Sequence, residues 1–104
     1  MPKVKKRVFV SAKGDFNKIA IAIEAQGIPV AKVGQNHMGD RIIEFEDPTV
    51  NIRLIIKGTK DGDYKVKLTA NDVTKIITGT LSTEGINHIS KNYALSDFDL
   101  SLNS

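Results

Sequence analysis

The chain contains no cysteine. That excludes disulfides, Cys-ligated zinc, iron–sulfur clusters and thiol catalysis. It also lacks any apolar run long enough for a membrane-spanning helix, and the basic N-terminus has no apolar stretch of the kind found in a signal peptide. The expectation is a cytoplasmic protein that does not engage a membrane. Aromatic residues are few: Phe9, Phe16, Phe45, Tyr64, Tyr93 and Phe98 complete the set. Most fall at expected core positions, which leaves no evident stacking platform for single-stranded nucleic acid. Enzyme motifs are missing as well. There is no P-loop, no dinucleotide fingerprint and no complete calcium loop; "KDGD" at 60–63 has only the opening of one. No catalytic residue, metal or cofactor is therefore assigned, and a non-enzymatic protein is expected.

What is present is ordinary in bulk and uneven in detail. The 104 residues, 40% apolar and 26% charged, fit a single domain over 1–104 with one modest core. The net charge of +3 is concentrated at one end. Residues 1–18 hold six basic side chains against Asp15 alone, whereas the remainder holds nine basic and eleven acidic ones. A basic N-terminal arm over 1–7 points to anionic partners such as nucleic acid, or simply to a solubilising terminus. The last stretch, 97–104, leans acidic and reads as a frayed tail or a short edge strand through Phe98 and Leu100.

Periodicity predicts an α+β domain. "RVFVSA" reads as a strand. Phe16, Ile19, Ala20 and Ile23 then share one face of a helix with Asp15 as N-cap, ended by Gly27 and Pro29; Ile21 lies off that face. "IPVAKV" and "RIIEFE" read as strands around a polar loop from Gly34 to Asp40. "NIRLIIKG", "DYKVKLT" and "VTKIITGTL" read as a three-stranded meander. A second helix follows, with Ser82 as N-cap, Leu81 and Ile86 as a hydrophobic staple, and Ile86, Ile89 and Tyr93 on one face. Gly85 weakens that helix by about 1 kcal/mol. The order is β-α-β-β-β-β-β-α, with two helices on a mainly antiparallel sheet of five or six strands.

The meander also implies a register. Placing Ile56 opposite Val66 and Leu54 opposite Leu68 gathers the apolar partners and leaves Lys60, Asp61 and Gly62 as a hairpin loop. Arg53, Lys57, Lys65, Lys67 and Lys75 then share the other face, with Lys57 opposite Lys65, and Ile55 and Ile77 lie among them. Opposed like charges are mildly destabilising, which a bound polyanion would relieve. A covering helix with the lysines reaching around it is the plain alternative.

Two functions follow. The first is a small basic module that binds nucleic acid, DNA or RNA, through phosphate contacts from Lys5, Lys6, Arg7, Arg53, Lys57, Lys65, Lys67 and Lys75. The second is a protein-binding inhibitor or adaptor recognising an acidic surface, with Ile55 and Ile77 as anchors or with Asn36, His37 and Met38 of the 34–41 stretch. The size, composition and lack of enzyme motifs suit a phage or mobile-element accessory protein. A catalytic or metal-binding use of His37 would need His88 and carboxylates beside it, and turn chemistry accounts for the stretch without them.

Overall fold

Alternation of period two runs through almost the whole chain, and it builds two sheets. A computed structural model describes residues 3–100, and these form nine strands and one 3-10 turn, with no α-helix among the described residues. The strands are β1 (Val4–Gly14), β2 (Phe16–Ile23), β3 (Gln26–Ile28), β4 (Val30–Val33), β5 (Asn36–Phe45), β6 (Thr49–Gly58), β7 (Asp63–Ala70), β8 (Val73–Thr80) and β9 (Ile86–Ala94). They make a five-stranded sheet in the order β4-β5-β1-β7-β8 and a four-stranded sheet in the order β3-β2-β6-β9, with every pairing antiparallel. The inner faces of both contribute to a single apolar core that includes Val8, Val10, Ile43, Phe45, Ile52, Leu54, Ile56, Val66 and Leu68. This is a β-sandwich.

The α+β expectation is therefore corrected, and both expected helices are strands. In 16–23, Ile19, Ile21 and Ile23 turn inward, and Lys18, Ala20 and Ala22 turn outward. Ile21, the residue off the helical face, is the alternating signal. Asp15 is not an N-cap; its N–H donates to the Asp63 carbonyl at 2.8 Å where the chain crosses between sheets. The second segment, rich in Asn, Ser, Ile and Tyr, favours an extended chain. Ser82 starts a tight turn there instead of a helix. It accepts a bond from the Glu84 N–H at 3.3 Å, and its hydroxyl donates to the Ile86 carbonyl at 2.7 Å.

The meander is also corrected. β7 and β8 form the expected hairpin, but β6 pairs with β2 and β9 in the other sheet. Ile52, Leu54 and Ile56 do share a buried face, as do Tyr64, Val66 and Leu68. They meet across the core rather than along a ladder. Residues 59–62 carry the chain from one sheet to the other; Asp61 has the positive φ of 60°, and Gly62 is buried against Asp15.

Three such crossings are tied together at one end. Besides the Asp15 bond, Thr59 donates to Asp15 O at 3.1 Å, Gly58 to Gly85 O at 2.9 Å and Leu81 to Gly62 O at 2.7 Å. Gly14 has φ 151°, and a Cβ there would overlap the backbone of Asp63 and Tyr64, so the close crossing requires glycine.

The termini differ from expectation as well. Lys5, Lys6 and Arg7 belong to β1, the central strand of the larger sheet, and not to an arm; residues 1–2 lie outside the described residues. The tail begins with the 3-10 turn Leu95–Phe98, and Leu95, Phe98 and Leu100 are buried. Phe98 meets the Tyr93 ring edge-on at 5.8 Å, and Asn71 Nδ2 donates to the Phe98 and Asp99 carbonyls at 3.3 and 3.0 Å. The remainder of that tail, 101–104, lies outside the described residues.

Candidate binding surfaces

The expected basic face does not assemble. Arg53 and Lys57 lie on the outer face of the smaller sheet, while Lys65 and Lys67 lie on the outer face of the larger one. Lys57 is opposite Lys18 and Ile86, and Lys65 is opposite Lys13 and Thr78. Lys75 and Ile77 point the other way from the expectation. Lys75 pairs with Leu68 and Ile77 with Val66, both core residues, and Ile77 is itself buried. Alternation along β6 and β7 is as expected, but its phase in β8 is shifted by one residue. Of the expected anchors, only Ile55 is on an outer surface, beside Ala20 and His88.

The 34–41 stretch is mostly strand. Its turn is only Gly34-Gln35, with φ 65° at Gly34 and negative φ at Gln35, the arrangement of a type II′ hairpin. Strand alternation splits the candidate residues that follow. His37 faces the core side and packs against Phe16, with ring centroids 5.0 Å apart and the planes tilted by 37°. Asn36 and Met38 face outward, Asn36 opposite Val33 and Met38 opposite Ser11. His37 and His88 lie on different sheets, and among the described residues no group of three His, Asp or Glu side chains is placed to hold a metal.

The outer face of the larger sheet carries a feature that sequence reading missed. Phe9, Val33, Met38, Ile42 and Ile76 lie there, each between 44% and 59% exposed, and Ile55 is the only other large apolar side chain so exposed among the described residues. Across the ladders each stands opposite a polar residue, Ile42 opposite Arg7, Phe9 opposite Asp40, Met38 opposite Ser11, Ile76 opposite Lys67 and Val33 opposite Asn36, so they meet diagonally rather than in pairs. Phe9, Met38, Val33 and Ile76 line one shallow depression with Lys67, Thr69 and Thr74. The available signal was Phe9 itself, which sits out of phase with Val8 and Val10.

The charges on this face are arranged asymmetrically. Arg7 pairs with Asp40, and the Lys3 ammonium lies 3.1 Å from Glu46 and 3.6 Å from Glu44. The Glu46 hydrogen bond, followed by the Glu44 charge, raises the Lys3 pKa above its ordinary value. At the opposite end Lys13, Lys65 and Lys67 line a second depression with Asn36 and Asp63, and no salt bridge forms to these lysines among the described residues. Lys13 directly opposes Lys65, a repulsion of some tenths of a kcal/mol.

No helix among the described residues is long and apolar enough to cross a membrane. Comparison with known proteins finds no matching family model, no similar curated protein and no similar solved structure.

Proposed function

We propose that this chain is a non-enzymatic binding module that docks a protein partner on the outer face of its larger sheet. The observation that carries the reading is the gathering of Phe9, Val33, Met38, Ile42 and Ile76 on one open face. Apolar side chains scattered singly over a surface need no explanation, but Phe9, Val33, Met38 and Ile76 line one depression, and such a cluster marks an interaction site. Aromatic residues and methionine are typical of the desolvated centre of an interface. Lys13 and Lys65 at one end, with Lys67 between them and the apolar set, form no salt bridge among the described residues and call for a partner with an apolar centre and carboxylates on that side. An acidic protein surface fits this better than a second copy, because the far end of the same face already has its charges neutralised internally.

Nucleic-acid binding by one basic meander face is not retained in that form, because its cations are divided between two sheets. The test is a complex isolated with the natural chain from its own source and then reassembled from pure components. Phe9→Ser with Met38→Ser should weaken it by more than tenfold, as central aromatic contacts are worth about 2 kcal/mol or more. Ile55→Asp, on the other sheet, should leave it intact. A complex indifferent to the first pair and lost with the second would sink the reading.

A further inference from the structure

We propose a second site, sharing only Lys13 among its lysines with the rim of the apolar face, that binds a flexible phosphate chain at one corner of the sandwich. β3 covers only Ile21–Ile23 of β2, so among the described residues the edge of β2 from Asn17 to Ala20 has no strand beside it. A groove runs along that edge, with Asn17, Lys18, His37 and Lys57 set among the apolar Ile19, Ala20, Val30 and Ile55. A second groove, lined by Lys13, Lys32 and Asp15, shares His37 with the first. The two join at His37, whose ring is tilted against that of Phe16 in the second groove.

The corner thus offers four lysines and the edge N–H groups that β3 leaves uncovered, and among the described residues Asp15 is the one carboxylate lining either groove. Lys18 and Lys57 are direct cross-strand neighbours, so each raises the energy of the other until an anion lies between them. The path turns from one sheet to the other across a body whose smallest dimension is 19 Å. A single strand bends on that scale, whereas duplex DNA, with a persistence length of about 50 nm, does not. The ligand chemistry is therefore a chain of singly linked phosphates, supplied either by single-stranded nucleic acid or by inorganic polyphosphate.

The experiment uses fluorescence anisotropy of the full chain with a labelled oligothymidylate, with polyphosphate and a duplex of equal length as competitors. The oligonucleotide should bind at low salt, with log affinity falling against log salt at a slope of about −3, as expected for four cations on a single strand. Lys18→Gln with Lys57→Gln should cut the affinity by more than about tenfold and halve the slope. Lys5→Gln with Lys6→Gln, an equal change in charge at the far end of β1, should cost less than threefold, and melting curves confirm that both variants fold. The competitor that displaces the label at lower concentration identifies the source of the phosphates. Absence of binding, equal loss in the two double variants, or duplex binding as tight as the single strand would overturn the proposal.

Discussion

Lys75 reaches from β8 in one sheet to β9 in the other, with Nζ 6.0 Å from the centre of the Tyr93 ring. It stands opposite Leu68, on the core-facing side of an edge strand. Lys91 on β9 stands opposite Ile52, and Lys32 on β4 opposite His37, in the same orientation. Three of the four edge strands thus carry one inward-facing lysine, and the fourth, β3, is three residues long and leaves Asn17–Ala20 of β2 open beside it. A strand added to such an edge would have to bury the ammonium, and inward charges are a known defence against edge pairing. Lys75→Val should therefore promote concentration-dependent self-association, measured by sedimentation velocity, by at least severalfold over the natural chain. Lys75→Arg should not. Equal behaviour of Val and Arg would mean that the edge is protected by something else.

Lys75 also marks the boundary of what the sequence conveys. The inward faces of β6 and β7 are legible from alternation alone, because burial dictates period two wherever one face meets a core. Alternation does not say which strand lies beside which. Leu54 and Leu68 are both inward, as expected, yet they belong to different sheets. The basic face breaks at that step, because it depends on pairing β6 with β7. The mistaken helices have a related cause. Ala20 and Ala22 are compatible with either period, so Phe16, Ile19, Ala20 and Ile23 mimic a helical stripe. The apolar outer face is written in Phe9, Met38, Ile42 and Ile76, but grouping them requires the order β5-β1-β7-β8, which no local pattern specifies.

The β2–β3 turn contains a correctable strain. Glu24 and Ala25 have φ of 52° and 63°, the double left-handed pattern of a type I′ turn. Alanine has no side-chain hydrogen bond to compensate for its Cβ in that region, at a cost of about 1–2 kcal/mol. Ala25 is exposed, so no packing depends on it. Ala25→Gly should raise stability by about 1 kcal/mol, a gain of roughly 4–8 °C in Tm for a domain of this size. Calorimetry that shows no gain, or a loss, would mean the turn is relaxed as it stands.

Glu24 in the same turn supplies a pH signature. Burial raises its pKa, and the Asp47 and Glu46 charges add to this, against a backbone hydrogen bond at Asn51 that lowers it. The folded chain therefore holds the proton more tightly than the unfolded chain. As pH rises from the ordinary glutamate pKa through the raised one, the unfolded state releases its proton first and stability falls. The deficit persists at neutral pH. Glu24→Gln should be the more stable chain at pH 7, by less than about 1 kcal/mol because the group is partly solvated. Denaturation midpoints should show the advantage closing as pH falls below the ordinary value. An advantage that is constant over that range would assign it to something other than this carboxylate.

Ile42 and Ile43 are neighbours on β5 with opposite duties. Ile43 is 0% exposed and belongs to the core, whereas Ile42 is 51% exposed on the outer face opposite Arg7. If the outer apolar set is there for a partner, the fold should not need it. Ile43→Ala should cost about 2–5 kcal/mol through lost burial and the cavity left behind. Ile42→Thr keeps a β-branched side chain suited to a strand, and should change stability by no more than about 0.5 kcal/mol. Urea titration of the two variants separates the roles. A large loss from Ile42→Thr in the isolated chain would show that this face already packs against something within the molecule, and the docking surface would have to be sought elsewhere.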